Sequence, residues 1–189
     1  SGDGGDAFSM TTGRLDVYTA NFPDSFSTYN LTGGEVWYRG DLASQNIAAL
    51  NYDRIQIRWD NAGSAPTKTL QGNITVANRL ELRNELTLDV AGYTITLGEN
   101  FDVTADQTIT WNNGTLIHNG RGWNIDPDLS SFHNLILEGT GGKNVQSDLT
   151  LSGDLTVRSG VVLDMRTYQM NNITGGGTSM TVEQNGEVE

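Results

Sequence analysis

The chain has 189 residues, a formal net charge of −12, 36% apolar residues, 23 glycines, three prolines and no cysteine. Charge of that sign repels phosphate backbones and anionic headgroups, which argues against nucleic acid as a partner. Without cysteine there is no disulfide framework. No apolar run approaches the roughly 18 residues of a membrane-crossing helix, so no membrane insertion is expected.

In chain order, Ser1-Gly2-Asp3-Gly4-Gly5-Asp6 has no signal-peptide features and reads as the start of a mature chain or an excised fragment. Asp3-Gly4-Gly5-Asp6 offers two carboxylates to calcium but lacks the spaced acidic pattern of a calcium loop. A solvated acidic terminus is the plainer reading, and no cofactor is expected. Residues 1–33 fit no later pattern and are expected to form an irregular first coil or cap. The one helix-length stretch, 42–50, is read as a lateral loop leading into a strand. Beyond it the pattern is alternation of apolar and polar residues, at 73–77, 80–82, 86–90, 94–97, 108–111, 149–151, 155–157 and 180–182. Period-two runs this short are half-buried strands. Turn chemistry breaks them: Ala91-Gly92, Asn112-Asn113-Gly114, Asn119-Gly120, Ser152-Gly153-Asp154, Ser159-Gly160 and Asn185-Gly186. The chain stops inside what reads as another strand–turn unit, as a piece of a longer protein would.

The chain also repeats itself. Gly34-Glu35-Val36-Trp37-Tyr38-Arg39-Gly40 returns 80 residues later as Gly114-Thr115-Leu116-Ile117-His118-Asn119-Gly120. Tyr52 to Ile57 returns as Phe132 to Leu137 at the same offset. Lys68 to Val76 then returns as Lys143 to Leu151, and Leu86-Thr87-Leu88-Asp89 as Val161-Val162-Leu163-Asp164, at an offset of 75. The second copy has therefore lost five residues between these blocks. The division expected is 1–33 cap, 34–113 first copy and 114–189 second copy.

Two architectures fit short strands at close spacing. An antiparallel β-sandwich is the alternative. Very short strands, one- to three-residue turns and a long-range repeat favour an all-β, single-stranded parallel β-helix, a β-solenoid, right-handed as parallel crossovers are. At ~4.8 Å per coil it makes a rod roughly 35–40 Å long. Its interior should hold Ile74, Val76, Leu86, Leu88, Ile95, Leu135, Leu137, Leu149, Leu151, Leu155, Val157 and Leu163.

The runs Gln45-Asn46-Ile47, Lys68-Thr69-Leu70-Gln71-Gly72-Asn73-Ile74-Thr75-Val76 and Leu88-Asp89-Val90-Ala91-Gly92-Tyr93-Thr94-Ile95-Thr96-Leu97, with Phe132-His133-Asn134-Leu135, resemble a recurring unit of giant surface proteins of Bacteroidetes exported by the type IX system. The resemblance covers roughly residues 34–189. In the second copy Arg166-Thr167 replaces the Ala-Gly before Tyr168. The resemblance implies β-solenoid repeats in adhesins or surface filaments, and its pattern carries no catalytic residue.

Signals of chemistry are sparse. His118 and His133 are the only histidines, with no zinc spacing and no nucleophile elbow. His118 stands where the first copy has Tyr38 and reads as a packing position. Asp89 and Asp164 recur and read as turn-capping residues rather than catalytic acids. Trp123, in a glycine-flanked loop, is the best candidate for an exposed contact aromatic. Trp37 and Tyr38 are adjacent in a strand, so one of them faces out. Met180, Thr181 and Val182 form a possible assembly edge. The expected function is non-enzymatic: a structural or adhesive module of an extracellular bacterial surface protein or filament. The expected partners are neighbouring repeats, further copies or surface glycans. The alternatives are a carbohydrate-binding or carbohydrate-cleaving β-helix and a viral fibre segment.

Overall fold

Alternation over three to five residues, punctuated by glycine and asparagine, makes strands too short to hold a sheet alone. They must stack on equivalent strands of the next turn of chain. The computed structural model, which describes residues 5–40, 42, 44–60, 65–104, 106–172 and 179–189, shows this stacking as a β-solenoid of about eight turns. Each coil lays strands on up to three faces, here called A, B and C. The first coil has β1 (Ala7–Met10) on A and β2 (Arg14–Val17) on B. The second has β3 (Thr28–Leu31), β4 (Glu35–Tyr38) and β5 (Ser44–Ile47) on A, B and C. In the third, β6 (Asn51–Arg58) runs from A onto B and β7 (Thr67–Leu70) lies on C. The fourth repeats this with β8 (Ile74–Arg83) and β9 (Thr87–Asp89). The fifth has β10 (Thr94–Leu97), β11 (Asn100–Val103) and β12 (Thr108–Thr110). The sixth has β13 (Thr115–His118), β14 (Trp123–Asn124) and β15 (Ser131–Phe132). The seventh has β16 (Asn134–Leu137), β17 (Gly141–Asn144) and β18 (Leu149–Leu151). The eighth has β19 (Leu155–Val157), β20 (Val161–Asp164) and β21 (Met170–Asn172). Last come β22 (Met180–Val182) on A and β23 (Glu187–Val188) on B.

Every strand pairing is parallel, which rules out the antiparallel sandwich. The first coil is less irregular than expected. β1 and β2 already stand in register with β3 and β4, and only its third side lacks a strand. The stretch read as a lateral loop holds β5, a regular face-C strand stacked on β7.

Stacking aligns inward residues into ladders. On face A, Ile74, Ile95, Leu116, Leu135 and Leu155 form one ladder. Val76, Leu97, His118, Leu137 and Val157 form a second. All twelve residues expected inside are buried. Each fully buried aliphatic side chain contributes roughly 1.5–3 kcal/mol of transfer free energy, and this ladder supplies the core that 36% apolar content can afford. Corners are made by residues at positive φ, among them Ala91 (54°), Asn113 (66°) and Arg166 (51°). Asp89 Oδ1 accepts from the Ala91 N–H at 2.8 Å and Asp164 Oδ1 from the Arg166 N–H at 2.9 Å, the turn-capping role expected of both. At the A–B corner the chain packs so closely that a Cβ on Gly120 would overlap the carbonyl oxygen of Gly98.

The sequence repeat and the coil are out of phase. The segment on β4 lies on face B, while its copy on β13 lies on face A. Lys68 is on face C, and its copy Lys143 is on face B. The repeat therefore advances three coils and two faces. The repeating unit is one strand with its corner, and such a unit serves any face. The five-residue deletion falls in the corner after β6; the second copy joins β16 to β17 through Glu138-Gly139-Thr140, with Gly139 at φ 85°.

Candidate ligand-contact face

Outward positions on face B are laid down by β2, β4, β6, β8 and β11. Register places Arg14, Glu35, Arg54, Arg79 and Asn100 in one row. The adjacent row is Asp16, Trp37, Gln56, Glu81 and Asp102, and Arg58 lies beside Arg83 further along. With Arg39, six of the nine arginines of the chain stand here.

These groups pair with one another. Arg39 Nε lies 2.8 Å from Asp60 Oδ2, and Arg58 Nε donates to Asp60 Oδ1 at 2.6 Å. Arg79 bridges Glu81 and Asp102, and Arg83 also reaches Glu81. Glu81 is 3% exposed, although it points outward, because these arginines and Gln56 cover it. Burial alone would raise its carboxyl pKa. The hydrogen bonds from Arg83 and Gln56 and the charges of Arg79 and Arg83 outweigh that and hold it below the usual value. Trp37 is half-buried. The guanidinium of Arg14 sits 4.1 Å from its ring centroid and those of Arg58 and Arg39 at 4.9 and 5.6 Å. Its indole Nε1 is buried without a hydrogen-bond partner among the described residues. Arg54 is exposed and forms no ion pair among the described residues. It lines a shallow groove of about 380 Å³ with Glu35, Asn78, Arg79, Glu99 and Asn100.

Of the three aromatics picked out as contact candidates, only Trp37 is on this face. Tyr38 points inward and is fully buried. Its hydroxyl accepts from the Ala48 N–H (3.1 Å) and donates to the Tyr52 hydroxyl (2.8 Å), which donates to the Ala48 carbonyl (2.8 Å). Burial pushes the Tyr38 pKa up to about 12. Trp123 is a correction: it is 2% exposed, drawn into the core by the aromatic face of His118, 4.6 Å away and within 5° of parallel. Met180 and Val182 take inward positions on β22, paired through β19 with Leu155 and Val157. They are 60% and 40% exposed. Of the calcium candidate, Asp3 and Gly4 lie outside the described residues, and Asp6 is exposed.

Sequence reasoning passed over a polar centre inside the rod. His118 interrupts an aliphatic ladder, and Lys143 is equally buried. His118 Nε2 donates to the Glu99 carbonyl at 2.8 Å, which leaves Nδ1 as the acceptor for Lys143 Nζ at 2.9 Å. Nζ also donates to the carbonyls of Gly120 (2.8 Å) and Arg121. Burial, reinforced by the neighbouring ammonium, brings the His118 pKa down to about 4. Burial brings Lys143 down to about 8. Lys68, also fully buried, donates to Gln45 Oε1 at 2.6 Å, and Gln45 in turn donates to the carbonyls of Val17 and Thr19. The two lysines recur in the repeat because each closes a corner by binding carbonyls or an amide. Their recurrence was the available signal.

No known protein family, curated protein or solved structure matches this chain.

Proposed function

We propose that this chain is a non-enzymatic structural and adhesive module of an extracellular bacterial surface protein, acting as a rod that presents face B to its partner. The resemblance to repeats of type IX-exported surface proteins supports the setting. The observation that carries the reading is the face-B array: Trp37 and five arginines held in register on four successive coils, with Arg39 beside them and Asp102 on the fifth. Six carboxylates (Asp16, Glu35, Asp60, Glu81, Glu99 and Asp102) stand among them, so the face is close to neutral on a chain of net charge −12. An acidic surface is repelled by most of this molecule and least by face B. A ladder of paired strands also fixes these side chains at regular spacing with little entropy left to lose on contact.

The partner chemistry that fits is a surface glycan carrying carboxylates, with Arg54 and the groove beside it as first contact. Beads coated with the chain should adhere to immobilised uronate-containing polysaccharide in a salt-sensitive way. Arg54→Ala should lower that adhesion several-fold, and Arg166→Ala, on another part of the rod, should leave it unchanged. Adhesion equal in wild type and the Arg54 variant would remove face B from the reading.

A further inference from the structure

Among the described residues, three steps between neighbouring coils lack strand pairing: β11 to β14, β12 to β15, and β3 to β6. Side chains bridge the first two. The Val103 N–H donates to Asp126 Oδ2 at 3.2 Å, and Trp111 Nε1 donates to the Ser131 carbonyl at 2.7 Å. The third is left open. Among the described residues no hydrogen bond joins 28–32 to 49–53. The gap is a notch of about 360 Å³ on face A, within the size range of small-ligand sites.

Its walls are two strand edges. The Thr75 N–H donates to the Leu50 carbonyl at 3.3 Å, toward the fourth coil. Alternation along a parallel strand then turns the N–H and C=O of Asn51 into the notch. Alternate N–H and C=O groups of β3 point away from β1 and into it from the other side. Exposed Asn30, Thr32, Asn51 and Thr75 add amides and hydroxyls. Asp53 Oδ1 accepts from Asn78 Nδ2, leaving Oδ2 to the notch. Leu31, Tyr52 and Tyr29 supply apolar surface. The bulge between Tyr52 and Arg54 closes one end, because Arg54 there pairs with Glu35 of β4.

We infer that this notch binds the terminal residue of a neutral glycan, a single hexose ring entering end-on. A pyranose presents hydroxyls that donate and accept around its rim and C–H groups on its faces. The notch offers donors and acceptors in mixture on both walls and apolar area beneath. Asp53 and the overall charge disfavour an anion. A cation would need more carboxylates than one, and no metal-holding group of His, Asp or Glu residues occurs among the described residues. A through-running peptide strand is blocked by the closed end. The inference stands on the break in the face-A ladder and does not depend on the face-B reading.

The test is saturation-transfer-difference NMR on the intact chain with the methyl glycosides of glucose, galactose, mannose and N-acetylglucosamine. Transfer to at least one glycoside is expected. Thr32→Trp, which fills the notch from an exposed position, and Asn51→Leu should each weaken binding at least tenfold. Their circular dichroism and thermal midpoints report whether they remain folded. Absence of transfer to all four sugars overturns the inference, as does undiminished transfer in both folded variants.

Discussion

Acidification should charge the imidazole of His118 at a cost to the fold. His118 is fully buried and hydrogen-bonded as a neutral ring between Glu99 and Lys143, with a folded pKa of about 4. Its unfolded value is about 6.5. Between those values the unfolded chain binds the extra proton, so stability falls as pH drops through 6.5 and the loss is complete below about 4. At pH 5 the linkage amounts to about 2 kcal/mol relative to neutral pH. Glu81, whose pKa is held below its ordinary value, adds a loss of the same sign at lower pH, so a variant is needed to isolate the histidine. His118→Gln keeps one donor for Glu99 and one acceptor for Lys143 but does not titrate. Urea unfolding of both proteins at pH 7 and pH 5 should show the wild type losing about 2 kcal/mol more than the variant. In proton NMR, one imidazole signal should titrate far below 6.5 and be missing from the variant. Equal losses in the two proteins would refute the neutral, carbonyl-bound histidine and the lysine contact with it.

Other outcomes follow from the same geometry. Lys143 has a folded pKa of about 8, below its unfolded value, so stability should rise with pH from about 8 until the buried tyrosines begin to ionise in the unfolded chain near 10; Lys143→Met should abolish that rise in a pH series of melts. Gly120→Ala should cost several kcal/mol, because the added methyl meets the Gly98 carbonyl, a backbone atom that cannot yield cheaply. Gly160→Ala should cost only about 1–2 kcal/mol, since its surroundings are open and the strain lies in φ 79° alone. Leu135→Ala, in the middle of the face-A ladder, should cost about 2–5 kcal/mol in chemical denaturation; a loss under about 1 kcal/mol would contradict a close-packed interior.

The interior was legible because solenoid strands are one-sided. Alternation in Leu149-Thr150-Leu151 or Ile95-Thr96-Leu97 assigns each side chain to inside or outside without knowledge of its neighbour, and the burial follows. The turn aspartates were legible for the same local reason, since each caps an amide two residues on. The opposite facing of Trp37 and Tyr38 was legible too, but the burial of Trp123 was not. Trp123 sits among glycines in a segment that looks like a loop, and only the polar ladder position of His118, five residues earlier, gives its ring a stacking partner inside the rod.

By itself the sequence determined the strand–corner unit, its inward and outward sides, and the parallel stacking that units of one strand and one tight turn require. Tertiary structure decided which units meet. The 80-residue repeat looks like a domain division, yet it advances three coils and two faces, so matching residues such as Lys68 and Lys143 end on different sides of the rod. The clustering of six arginines on face B depends on coil lengths summed over many corners, and no local pattern encodes that sum. The notch in face A lies where β6 begins on face A, bulges after Tyr52 and joins face B at Arg54, so that β3, paired with β1 on one edge, has no strand on the other. Register between distant segments is set by the whole stack of coils, and that is where the candidate sites of this protein arise.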